Sequence, residues 1–298
     1  MAELTTLLEG GAFFEGPRWH DGRWWVSDFY RHLVLALDSD GGTEEVLTVE
    51  AQPSGLGWMP DGSLLVVSMK DHRVLRRSPD GEVSVHAEVG EYCGGHLNDM
   101  VVDGKGRAYV GNFGFDLMAF ADPEPANLIR VDPDGSASVA AADMLFPNGS
   151  VITPDGRTLI VGETAGARYT AFTIEEDGSL ADRRVWAQVE EAPELGPLAE
   201  TLPKLKFGPD GCALDAEGYI WAADEVGARC ARVAEGGEIV DEIKAPEGLG
   251  LFACMLGGED GLTLLMCCAP DFAEEARSRA REAVLLTTTV DVPHAGLP

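Results

Sequence analysis

Short apolar runs, closed by turn glycines, set the pattern of this chain, and six of them begin at comparable positions of a repeated unit. The first is Glu15-Gly16-Pro17-Arg18-Trp19, followed by the turn Asp21-Gly22 and the apolar Trp24-Trp25-Val26. The others start at Ser54, Asn98, Asn148, Asp210 and Phe252, and after each turn a second apolar run follows, as at 64–67 or 158–161. The turn glycine comes eight residues after Ser54, Asn98, Asn148 and Asp210, seven after Glu15 and nine after Phe252. Short apolar runs joined by Asp-Gly turns predict β-hairpins rather than helices. A third strand is predicted at 33–37, 74–76, 128–131 and 169–173.

Successive starts lie 39, 44, 50, 62 and 42 residues apart, a spacing that suits the four-stranded blades of a propeller. The expected fold is therefore all-β, a six-bladed β-propeller forming a single domain over 1–298, with a central channel. Two segments depart from plain blades. Residues 190–206, with Pro193, Pro197 and Pro203, form a connection too long for an ordinary turn, expected as a rim loop beside the fifth blade, either lid or surface decoration. Residues 273–283 are rich in Ala, Glu and Arg and predict one short surface helix in the last blade.

In a propeller the innermost strands run along the channel, so equivalent positions of successive blades form a ring around it. Here that ring is Glu15, Ser54, Asn98, Asn148, Asp210 and Phe252. Any one of these beside its glycine is an ordinary turn residue, but a shared register over almost the whole chain points to a site. Two carboxylates and two amide oxygens are hard donors suited to Ca2+, Mg2+ or Mn2+, and their two negative charges balance one divalent ion. Ca2+ is the expected occupant, with Zn2+ also admitted.

Charge narrows the partners. Fifty-one acidic against 22 basic residues give a net charge of −29, which repels phosphate backbones and anionic membrane surfaces. Nucleic acid and membranes are excluded as partners, a small-molecule substrate is expected, and nothing indicates an oligomeric state. The first eleven residues lack the basic and apolar regions of a secretory signal, and no apolar run is long enough to span a bilayer, so a cytoplasmic location is expected. The six cysteines show no CxxC pair and no histidine at ligand spacing, which predicts reduced thiols and no thiolate zinc site. A Gly-x-Ser-x-Gly elbow and a phosphate-binding glycine loop are both lacking.

Glu15-Gly16-Pro17, Asn98-Asp99, Pro147-Asn148-Gly149 and Pro209-Asp210-Gly211, in this order and register, resemble the SMP-30/gluconolactonase/LRE-like family. That resemblance implies a six-bladed propeller that hydrolyses sugar lactones, with diisopropyl-fluorophosphatase among its relatives. It implies Glu15, Asn148 and Asp210 as direct metal ligands, and Asn98 as a further ligand or a substrate contact. One departure concerns specificity. Where sugar-lactone hydrolases of the family commonly carry arginine two residues before the Asn-Asp pair, this chain has His96. Phe13, Phe14, Trp58, Phe115, Met118, Phe146 and Phe252 are expected to give the channel mouth an apolar wall, and the substrate to be less polar than gluconolactone.

The expected activity is metal-dependent lactone hydrolysis. The ion would polarise the carbonyl as water adds, with Asp210 as general base, Glu15 second, and His96 donating to substrate or shuttling a proton. Substrate contacts are expected from Asn98, His96, Phe115, Trp58 and Phe14, and Asp99 is expected to support Asn98. Asp28, Asn112, Glu163 and Asp224, at the ends of second strands, are expected to tie blades together. Two alternatives stand beside the lactonase: phosphotriester hydrolysis at the same metal, and a non-catalytic propeller with a structural ion and a protein-binding rim.

Overall fold

A computed structural model describes residues 3–296 and arranges them in six antiparallel sheets of four strands each. The inner strands are Phe14–His20, Pro53–Trp58, Leu97–Val102, Pro147–Ile152, Pro209–Leu214 and Gly250–Gly257. Each packs against the inner strand of the next blade, and the last packs against the first, so the six close a ring. This is the six-bladed propeller that the repeat predicts. The turn glycines Gly22, Gly62, Gly106, Gly156, Gly218 and Gly261 all have positive φ, the conformation that a tight hairpin asks of its glycine.

Blades one to five each run from the inner strand outward in chain order. Of the third strands expected from the apolar pattern, Leu33–Leu37 has the expected bounds, and Arg73–Arg77, Ala126–Val131 and Arg168–Ile174 are slightly longer. Blade six is built differently. Its outermost strand is the N-terminal Thr5–Gly11, paired with Ala283–Thr289 so that Thr5 faces Thr287 and Gly11 faces Ala283. The chain's first strand thus closes the ring on its last sheet.

The expected helix over 273–283 shrinks to one turn, Glu274–Arg277. The buried guanidinium of Arg277 reaches Asp271 at 3.2 Å and Glu282 at 2.7 Å, so both flanks of the turn are held to it. A second helical turn, Leu198–Thr201, lies inside the 190–206 connection between blades four and five. Among the described residues no helix is long and apolar enough to cross a membrane.

Three of the four strand-end residues expected to tie blades together reach the connections between blades. Asp28 accepts the Ala12 and Phe13 N–H groups at the junction of blades six and one. Glu163 accepts the Leu145 N–H between blades three and four, and Asp224 accepts the Gly208 N–H before blade five. Asn112 bonds within its own blade instead, donating to the Asn127 carbonyl and accepting the Gly114 N–H. Among the described residues all six cysteines are free, and five are buried.

A register break recurs on the inner strand of every blade. In blade two Pro53 pairs with Ser68 and Leu56 with Val66, so Ser54 and Gly55 face Val67 alone. The same two-against-one step spans Asn98 and Asp99, Asn148 and Gly149, and Asp210 and Gly211. It spans Gly16 and Pro17 in blade one, and Phe252 is the extra residue in blade six. These are β-bulges, which bend a strand and re-aim a side chain. Here they sit at or directly beside the six positions of the predicted ring.

Candidate active site

The glycines that follow the ring residues have a packing reason. A Cβ on Gly149 would stand 2.2 Å from the Asp210 carbonyl oxygen, and one on Gly55 would stand 2.5 Å from the Met100 nitrogen. Adjacent inner strands therefore approach backbone to backbone around the axis. Close approach draws the ring side chains together: Glu15, Asn98, Asn148 and Asp210 all line one cavity and are all nearly buried. Ser54, wholly buried, lies at the ring with its hydroxyl 3.5 Å from Asn98 Oδ1.

Hydrogen bonds hold the amides in place. Asn98 Nδ2 donates to Asn148 Oδ1 at 2.8 Å, and Asn148 Nδ2 donates to Thr164 Oγ1 at 3.2 Å. The Thr164 hydroxyl in turn donates to the Pro209 carbonyl at 2.7 Å, next to Asp210. Behind the ring, Arg18 crosses from blade one to blade three, donating to Asp99 Oδ1 at 2.8 Å and to the Met100 carbonyl at 2.6 Å. Asp99 also accepts the Met100 N–H at 2.8 Å. The pair is buried on both sides; it anchors the segment that carries Asn98.

The carboxylates are strongly perturbed. Burial raises the Glu15 pKa to about 8, with repulsion from Asp99 and Glu225 adding to it against the Gly16 N–H and Arg18. Burial, then Glu15 and Glu225, push Asp210 well above the ordinary carboxylate range. Glu225 is raised to about 7 by burial and by Asp224. Buried carboxyls that repel one another gain most from a shared cation. Two carboxylates with two amides as hard donors fit a divalent ion of the Ca2+ type.

The walls above this floor are apolar. Phe13, Phe29 and Phe252 come from blades one and six, with Phe13 and Phe252 ring centroids 4.8 Å apart. Phe113, Phe115 and Phe146 face them from blades three and four, Phe113 and Phe146 at 4.7 Å. Met118 also lines the cavity, and the 190–206 connection supplies Leu198, Thr201, Leu202 and Leu205. The Leu198 N–H donates to Asp122 Oδ1 at 3.2 Å, which joins this segment to the blade-three side of the mouth.

Three residues expected at substrate do not line the cavity: Phe14, Trp58 and His96. Side chains alternate along a strand, so with Glu15 facing the channel Phe13 faces it too, and Phe14 turns into the core against Gly11. Trp58 is four residues past Ser54, roughly 13 Å further along the strand, where it stacks on His20 at 3.9 Å. The His96 ring packs against Phe113 at 6.0 Å, and burial, then Lys70, lowers its pKa. His96 thus backs the cavity wall through Phe113.

Glu225, Thr164, Arg18 and Phe29 went unrecognised in the sequence, although a signal existed for three of them. The residue before each ring position pairs with the end of its blade's second strand: Phe14 with Asp28, Leu97 with Asn112, Pro147 with Glu163, Pro209 with Asp224. The residue that follows is then Phe29, Phe113, Thr164 or Glu225, and these four line the cavity, whereas Met69, the counterpart in blade two, does not. They form a second ring just above the first.

Comparison with known proteins shows the family and the fold. The family profile of the SMP-30/Gluconolactonase/LRE-like region matches residues 13–269. A 6-deoxy-6-sulfogluconolactonase of Pseudomonas putida is 27% identical over 282 residues, covering 91% of this chain and 88% of that protein. The pentonolactonase XacC of Haloferax volcanii is 27% identical over 213 residues, 70% of this chain and 65% of its own length. Among solved structures, a gluconolactonase of Xanthomonas campestris superposes with a TM-score of 0.72 at 25% identity, over 100% of this chain and 90% of that one. A regucalcin of Agrobacterium tumefaciens, described as a calcium-binding protein, has the same fold, with a TM-score of 0.79, 20% identity, and coverage of 100% and 97%.

Proposed function

The chain belongs to the SMP-30/gluconolactonase/LRE-like family, and from that premise we propose that it is a metal-dependent lactonase acting on a cyclic ester less polar than gluconolactone. The observation that carries this reading is the pairing of a hard-donor floor with phenylalanine walls in one cavity. Relatives that share most of this chain's length include lactonases. Glu15, Asn148 and Asp210 would hold the ion, Asn98 completing the shell or contacting substrate. A divalent ion bound there would supply Lewis-acid polarisation of the ester carbonyl and stabilise the charge that develops on its oxygen.

The chain's own residues do the rest. The phenylalanine walls seat the apolar part of the ring and exclude bulk water from the ester. Asp210 accepts a proton from the water that adds to the carbonyl carbon, with Glu15 as the second candidate base. The ring C–O bond then breaks, its oxygen takes up the proton that Asp210 accepted, and a hydroxy acid leaves. Asn98 orients the ester, held in turn by Asn148 and Thr164. His96 contributes by supporting Phe113, and regucalcin relatives favour Ca2+ as the ion.

The test is a panel of alkyl- and aryl-substituted lactones, aldonolactones and phosphotriesters, assayed after chelation and again with Ca2+, Mg2+, Mn2+ or Zn2+ restored. Expected is hydrolysis of the apolar lactones that disappears on chelation and returns with a divalent ion. Turnover that survives complete metal removal would overturn the metal dependence. A clear preference for aldonolactones would overturn the substrate class, and a preference for phosphotriesters the reaction.

A further inference from the structure

Glu225 is the charged member of the second ring, whose other cavity-lining members are Phe29, Phe113 and Thr164. It follows Asp224 at the end of a second strand, and its N–H donates to the Gly208 carbonyl at 3.3 Å. A Cβ on Gly208 would lie 3.2 Å from Glu225 Cγ and 3.4 Å from Oε1. The glycine leaves the space in which this side chain lies. Its carboxylate then borders the cavity that holds Glu15 and Asp210.

Charge around it is uncompensated. Two carboxylates, Glu15 and Asp210, match one divalent ion, which leaves Glu225 as a third negative charge among the cavity-lining residues. Among the described residues no Lys, Arg or His lines the cavity. Arg229, on the same blade, is already taken by Asp224 at 2.9 Å and by Glu242 at 2.8 Å. Glu225 is half-buried, and a carboxylate in such a setting with no basic partner gains from any group that donates to it. Among the described residues no hydrogen bond to its carboxylate is formed, so a ligand in the cavity can donate to it.

Resting on the lactonase reading above, we propose that Glu225 determines specificity: it accepts a hydrogen bond from a hydroxyl or ammonium group on an otherwise apolar lactone, and it turns anionic lactones away. Apolar walls lower the local dielectric and so magnify both the attraction and the repulsion. The substrate class is thereby narrowed to neutral or cationic esters with one donor group, apart from any anionic substrate such as a sulfonated lactone.

The experiment uses two matched series on one aryl-lactone frame, carrying hydroxymethyl, aminomethyl or carboxylate substituents. One series is hydrolysable, and the other replaces the ester by a non-hydrolysable cyclic ether. Glu225→Gln and Gly208→Ala, which crowds the glutamate rather than removing it, are compared with the native protein in the Ca2+-loaded state. The native protein is expected to favour the aminomethyl over the carboxylate form by at least about tenfold, in kcat/KM and in the Kd of the ethers, and both variants to cut that ratio by about tenfold. A ratio that stays the same in Glu225→Gln would overturn the proposal. So would a Ca2+ affinity in Glu225→Gln that falls as far as in Asp210→Asn, since Glu225 would then be an ion ligand. Failure of the lactonase reading gives a separate result: no lactone is hydrolysed, while the ethers still bind and still report the charge preference.

Discussion

At the scale of single residues, the same chemical group does different things according to what surrounds it. Asp224 spends its carboxylate on the Gly208 and Gly227 N–H groups and on Arg229. Its neighbours Asp210 and Glu225 face a cavity instead, and burial pushes both upward. Asp210→Asn removes a base and one charge but leaves the shape unchanged. It should lower lactone turnover by about 10²- to 10⁴-fold, while chelated protein melts no earlier than the native form, because a buried repulsion is relieved. Turnover assays beside thermal melts in chelator check both points; an undiminished rate would mean that Asp210 is not the base. Phe13 and Phe14 show the same dependence on setting, since a step of one residue decides which of two identical rings meets the cavity.

At the scale of the strand, the bulge and its following glycine place the site. The bulge turns a side chain toward the axis, and the glycine lets the next blade's backbone come close enough to share it. Gly149 is the sharpest case, because the atom a Cβ would meet is backbone and cannot rotate away. Gly149→Ala should therefore destabilise the protein by about 1–3 kcal/mol and also weaken divalent-ion binding, since it parts the strands carrying Asn148 and Asp210. Gly104→Ala is the control: a Cβ there meets nothing within 4 Å, and the change in urea midpoint should be small. Equal losses at both positions would contradict the close-approach argument. The 190–206 connection belongs to this scale as well. Its prolines marked it as irregular, but only the fold brings its leucines over the cavity and its backbone onto Asp122.

At the scale of the whole molecule, ring closure and charge are coupled. Six inner strands meet at one axis and carry their acidic groups into a buried centre. Glu15 has a folded-state pKa of about 8, above its unfolded value, and Asp210 is raised as well. Folded protein thus holds protons that unfolded protein releases, so stability falls as pH rises from the ordinary carboxylate range, roughly 4, toward 8. In chelator, the melting temperature should drop across that window. Added Ca2+ should raise it more at pH 8 than at pH 5, because ionised carboxylates bind the ion and protonated ones do not. Melts at both pH values with and without Ca2+ check this; an equal Ca2+ effect at both would remove Glu15 and Asp210 from the ion's shell.

Local order was legible from the chain itself. Turn glycines and short apolar runs determined the inner, second and third strands, the number of blades, and the register that groups Glu15, Asn98, Asn148 and Asp210, because hairpins depend on neighbours in sequence. The outer strands were not visible, since Thr43–Thr48, Val83–Glu88 and their counterparts are largely exposed and carry little apolar pattern. Nor was the closure by Thr5–Gly11, whose partner lies at the other end of the chain. The second ring, with Glu225 at its charged position, was decided by tertiary structure for the same reason. Strand pairing puts each of its members opposite the residue two before a first-ring position, and the blades then bring members far apart in sequence around one cavity. Sequence determined the repeated unit and its hard donors; packing of unit against unit decided which side chains face the ligand.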